Sequence, residues 1–216
     1  MSEQQDARAL LEAGKFDEVV QDEHPLWRGL ALLELGRHDE AARVFEVAEG
    51  AKDSSSMLEL AGAAHWLGGA REAAAERWIS ALDAGHDTPA SAVRAPALLL
   101  FAGQRMKDER YILRGTRLLG KLYKPKISKV WPGPVAAFLL GKIDEEAFIE
   151  EGFEDPGLEA RRLTSALFWA GVKMDGEAAL DRFRAAAGQE GPAVLEVEHH
   201  LAKGEIAAAG KGGASG

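Results

Sequence analysis

Gly29-x-x-Leu32-x-x-x-Gly36-x-His38-x-x-Ala41-x-x-x-Phe45-x-x-Ala48 is followed, 33 residues later, by Gly62-x-x-His65-x-x-x-Gly69-x-Arg71-x-x-Ala74-x-x-x-Trp78-x-x-Ala81. The internal spacings are identical, so each stretch reads as one copy of a repeated unit. Apolar residues recur at helical intervals on both sides of a glycine, which predicts two antiparallel helices hinged there. The hinge glycine, Gly36 or Gly69, ends the first helix in a left-handed conformation that is cheap only without a Cβ. Gly29, Gly62, Ala41 and Ala74 are small enough to let the backbones approach, and the ring of Phe45 or Trp78 fills the gap towards the next unit. One such hairpin cannot bury its apolar face alone, so neighbours must stack.

Working outward, Gly103 continues the glycine period at 34 residues, and Pro89 to Ala102 begins a further unit. Its second half departs from the pattern at Asp108, where a small residue is expected. Asp108 to Tyr123 reads instead as a long helix that Pro125 ends. Upstream, Ala7–Ala13 and Phe16–Asp22 form a shorter hairpin hinged at Gly14. Downstream, Tyr123 to Pro134 carries loop chemistry and marks a boundary. Val135–Leu140 is a helix closed by Gly141, and Asp144-Glu145-Glu146-Ala147 reads as an N-cap with a first turn. Leu158–Val172 and Asp175–Ala187 form another hairpin, with Ala179-x-x-x-Phe183-x-x-Ala186 repeating the second-helix pattern. Ala193–Ala209 caps the stack, and the glycine-rich Gly210–Gly216 is expected to be disordered.

On the two aligned repeats the chain resembles the tetratricopeptide repeat (TPR) family. The resemblance implies an all-α fold, an α-solenoid of antiparallel helical hairpins, with residues 1–124 as TPR-like repeats and 125–209 as a C-terminal repeat and capping region. Trp131 to Glu205 further resembles the C-terminal region of a bacterial TPR subgroup, through Trp131-Pro132, Gly141-Lys142-Ile143 and Phe168-Trp169-Ala170-Gly171. That likeness adds architecture and no mechanism.

Composition narrows the function classes. Hydrophobic residues make up 46% and charged residues 28% of 216 residues, the balance of a chain that folds around a core. Cysteine is missing, which excludes disulfides, thiolate metal sites and thiol catalysis. Asparagine is missing too, which favours helix over turn. The net charge of −9 argues against general affinity for nucleic acid. No basic leader precedes an apolar run, and no run reaches the roughly 18 residues of a membrane span, so a cytoplasmic location is expected.

Two candidate partner surfaces stand out. By TPR analogy, the inner faces of the first helices line a concave groove, holding Leu30 and Leu33, then Ala63 and Trp66, then Ala97 and Phe101. A groove of that kind seats a peptide or helix, unless the same residues are plain core. The other surface is a basic stripe. Arg110, Arg114, Arg117, Lys121 and Lys124 share one helical face, and residues 105–129 hold nine basic against two acidic side chains. Such a face either docks an anionic partner or is simply solvated.

Other constellations carry less. Gly115-x-x-x-x-Gly120-Lys121 has a phosphate-loop spacing but Leu122 in place of the magnesium-binding hydroxyl, and it lies in a helical pattern. Glu196 with His199-His200 resembles part of a metal site that lacks a further ligand. His65 faces inward, with a packed or hydrogen-bonded role, whereas His24, His38 and His86 fall in turns. Glu145, Glu146, Glu150, Glu151, Glu154 and Asp155 read as an acidic surface. Ser54-Ser55-Ser56 are expected to cap the helix beginning near Met57. No nucleophile motif is present. The expected function is therefore a non-catalytic adaptor that binds a protein or peptide, with no cofactor, metal, nucleic acid or membrane, and with self-association possible. The alternative is a dedicated neutraliser, an immunity or chaperone-like protein that occludes one enzyme.

Overall fold

The computed structural model describes residues 3–47, 54–85, 89–124, 130–150 and 158–212. It is all-α, with no strand among the described residues. The helices are α1 (Glu3–Glu12), α2 (Phe16–Val19), α3 (Pro25–Glu34), α4 (His38–Val47), α5 (Ser54–Leu67), α6 (Arg71–Asp83), α7 (Pro89–Met106), α8 (Glu109–Leu122), α9 (Gly133–Leu139), α10 (Glu145–Glu150), α11 (Glu159–Val172), α12 (Gly176–Ala187) and α13 (Val197–Gly212). A 3-10 segment, Gly191–Leu195, precedes α13.

One turn chemistry recurs along the chain. At Gly14, Gly36, Gly69 and Gly141 the backbone turns left-handed, with φ of 73°, 70°, 89° and 68°. In each case that residue's N–H donates to the carbonyl three residues back, and the next N–H donates five back, as in Gly69 to Trp66 at 3.1 Å and Ala70 to His65 at 2.9 Å. The paired bonds satisfy carbonyls that a helix end leaves open. The turn between α7 and α8 uses the same bonds, but Lys107 occupies the left-handed position at φ 57°. Gly103 is therefore not the hinge its spacing suggests. It lies inside α7, where a Cβ would come within 2.6 Å of the Ile112 nitrogen. Gly115 answers from α8, where a Cβ would stand 2.8 Å from the Leu100 nitrogen and the Pro96 carbonyl. These two glycines let α7 and α8 pack backbone to backbone.

Contacts divide the chain into two compact units: Met1–Arg37 with Gly152–Gly216, and His38–Glu151. The division drawn from sequence at residue 124 does not coincide with this grouping, because the first unit joins the two ends of the chain. In the second unit successive helices from α4 to α10 pack on their neighbours, and α7 also meets α9. Its core is built around Trp78 and Phe101, both fully buried. In the first unit α1 packs on α2, α3 and the 3-10 segment, while α11 packs on α12 and α13. Phe168, Trp169 and Phe183 centre the core of this second group.

Several local expectations shift. Ser54–Ser56 form the first turn of α5 instead of preceding it, and the buried Ser55 hydroxyl has no hydrogen-bond partner among the described residues. Gly210–Gly212, expected in a disordered tail, continue α13. His86, Glu151, Glu154 and Asp155 lie outside the described residues. Among the described residues no helix is long and apolar enough to cross a membrane.

Candidate interaction surfaces

The six apolar residues assigned to a groove are buried. Leu30, Leu33, Ala63, Trp66, Ala97 and Phe101 range from 0% to 8% exposed. Trp66 packs on Phe101 with ring centroids 4.9 Å apart, and both pack on Trp78 at 5.7 and 6.3 Å. Such aromatic pairs add about 1 kcal/mol each beyond their burial. Arg71 lies over the Trp66 ring and Arg105 over the Phe101 ring, covering what remains. These side chains are buried, so they are core and not the wall of an open groove.

The basic helix is arranged differently. Asp108 caps α8 by accepting from the Arg110 N–H at 2.9 Å. Its carboxylate also takes Arg110 Nη2 at 2.6 Å, and that side-chain bond holds it below the usual carboxylate range. Leu119 and Gly115 are buried against the rest of the unit. The opposite face presents Arg110, Leu113, Arg114, Arg117 and Lys121, all exposed. Leu113 is 68% exposed and Leu122 37%, so the basic stripe has an apolar component. Arg114 reaches Asp83 only at 4.0 Å. Among the described residues no carboxylate pairs with Arg117 or Lys121. The phosphate-loop spacing falls inside this helix, and Gly115 serves helix packing there.

The histidines and buried acids pair elsewhere than the sequence suggests. His65 Nε2 lies 2.9 Å from Glu46, which also takes Arg77 at 3.0 Å, so His65 is hydrogen-bonded and half-buried. His24 caps α3 by accepting from the Leu26 N–H. Glu196 does not join the histidines, because it binds Arg161. Glu198 accepts from Ser165 Oγ at 3.0 Å and Trp169 Nε1 at 3.1 Å.

His199 and His200 turn instead to Glu34, a residue that sequence reasoning missed. Glu34 Oε1 lies 3.0 Å from His200 Nδ1 and 3.5 Å from His199 Nε2, and Lys203 Nζ donates to Oε2 at 2.6 Å. The other nitrogen of His200, Nε2, donates to the Val194 carbonyl at 2.9 Å. Burial works to raise the Glu34 carboxyl, but the two histidines and the lysine together outweigh it and hold the group far below its ordinary value. Burial lowers His200, with Glu34 opposing that trend. Glu34 and Lys203 are 169 residues apart, and nothing local in the sequence signals the pairing. Among the described residues no group of three or more His, Asp or Glu side chains is placed to hold a metal ion. No protein-family model matches the chain, and no curated protein is significantly similar to it.

Proposed function

We infer that the chain is a non-catalytic, TPR-like helical scaffold that docks an acidic protein segment on the exposed face of α8. The observation that carries this reading is the contrast between two surfaces. The inner-face residues are buried in the core, whereas Arg110, Leu113, Arg114, Arg117 and Lys121 face solvent on one rigid helix. An exposed leucine among four cations is suited to an acidic amphipathic segment, which supplies both a carboxylate row and an apolar contact. The overall charge of −9 disfavours nucleic acid, whose phosphates would meet repulsion beyond this helix. The repeated Gly-hinged hairpins support the solenoid reading, since stacked hairpins supply a stiff frame on which one helix is presented without ordering cost.

The test is affinity purification of the tagged protein from its host, comparing wild type with an Arg117→Glu/Lys121→Glu pair and with Leu113→Ser. These side chains are exposed, so the fold should survive, as circular dichroism would verify. A partner lost in the charge-reversed variant, and bound more weakly to the purified wild type at high salt, supports the reading. A partner retained by every variant, or no specific partner at all, overturns it.

A further inference from the structure

The last turn of α8 holds a glycine that nothing in this chain requires. Gly69 serves a left-handed turn, and Gly103 and Gly115 serve backbone-to-backbone packing. Gly120 does neither. Its φ is not left-handed, and the helix is capped by Tyr123. Beyond its own helix backbone, a Cβ at Gly120 would meet nothing within 4 Å among the described residues. Glycine is the poorest helix former after proline, so alanine would serve α8 better at this position. What the glycine leaves is a notch in the exposed face.

The notch is in line with the exposed leucine. Leu113 and Gly120 are two turns apart, about 10 Å along the axis and within about 20° around it. Both are exposed, and Arg110, Arg114, Arg117 and Lys121 run along one side of their line. We propose that this line receives an α-helix of a partner protein, with large apolar side chains recurring every seven residues and carboxylates beside them. The proposal rests on the reading of α8 as a docking face for an acidic segment, and gives that segment its conformation and register. One apolar side chain of the partner packs beside Leu113, and the next drops into the notch over Gly120. The missing Cβ lets the two axes approach, as Gly103 and Gly115 do between α7 and α8. An extended segment fits worse, because its side chains on one face recur at about 7 Å, out of step with the bump and the notch. Charge excludes pairing of α8 with its own copy, which would set cation against cation.

Fluorescence-anisotropy titration of the full chain at low salt tests this, using synthetic peptides of about 20 residues. One is helix-forming, with leucines seven apart and glutamates beside them. A second has the same composition in shuffled order, and a third carries a central proline that breaks the helix. The helix-forming peptide should bind roughly tenfold tighter than the other two. Gly120→Gln fills the notch with a good helix former. It should weaken that binding about tenfold and yet raise the urea midpoint of the chain, opposite changes that no loss of structure can imitate. Equal binding of all three peptides, abolished by Arg117→Glu/Lys121→Glu, would keep α8 as a docking face for acidic segments and overturn the helical partner alone. Binding of none would overturn both. An affinity unchanged by Gly120→Gln overturns the proposed register. Self-association seen by sedimentation velocity and abolished by Gly120→Gln would give the notch to a second copy and overturn the proposal.

Discussion

The Trp78 indole lies across the α-carbon of Gly62, with its Nε1 donating to the Glu59 carbonyl oxygen at 3.1 Å. A Cβ at residue 62 would overlap the ring, coming within 2.6 Å of Cδ1. Trp78 is fully buried and wedged against Trp66 and Phe101, so the ring has nowhere to move. Gly62→Ala should therefore destabilise the protein by about 1–3 kcal/mol, despite alanine's better helix propensity. Urea denaturation would show this as a lower midpoint with an unchanged slope.

Trp66→Ala and Phe101→Ala distinguish core from groove. Each removes a ring packed on the other, tilted, at 4.9 Å between centroids in a closed cluster. Each should cost about 3–5 kcal/mol of stability. Thermal unfolding of the purified variants reads the effect without any partner present. Variants that unfold at the wild-type temperature would return these residues to an open surface.

Lys107 holds φ 57° in the turn where the other hairpins place glycine. A side chain in that conformation costs about 1 kcal/mol. Lys107→Gly should raise stability by up to about 1 kcal/mol, offset in part by the greater entropy of the unfolded glycine. The check is a shift of the denaturation midpoint to higher urea, with the helical circular dichroism signal unchanged.

The same turn marks how far the sequence can be read. The Gly36 and Gly69 hinges are legible because a helix end with an open carbonyl pair needs a residue that accepts positive φ. The extent of α8 is legible too, from the proline after it, although Asp108 proves to be its cap and not its first residue. Gly103 misleads because a packing glycine and a hinge glycine look alike in one dimension; only the partner backbone at Ile112 tells them apart. Periodicity places Trp66 and Phe101 on inward faces, but it gives the direction of a side chain and not what lies opposite. The basic face of α8 is readable from one helix alone. The Glu34 cluster is not, because it joins α3 to α13 across most of the chain.

That cluster sets an acid limit on stability. Glu34 is held far below its ordinary value in the folded state, after the lowering contacts overcome burial. A carboxyl with a depressed folded pKa stabilises the fold above its unfolded value, about 4.3, and that stability is lost as pH falls below it. His200 is lowered by burial, against the pull of Glu34. Its neutral form is favoured in the fold, so stability begins to fall once pH drops through about 6.5, where the unfolded histidine takes a proton. Both contributions have the same sign, and the denaturation midpoint should decline in two limbs between about pH 7 and pH 3. Glu34→Gln keeps the shape of the side chain and removes the titration. It should cost about 1–3 kcal/mol at pH 7, where charged hydrogen bonds are lost, and flatten the limb below about pH 4.3 while the upper limb deepens, because Glu34 no longer opposes the lowering of His200. Urea titrations at about pH 7, 5.5 and 3.5 measure this directly. Wild-type and Glu34→Gln profiles that stay parallel down to about pH 3.5 would mean that Glu34 is not the group that titrates.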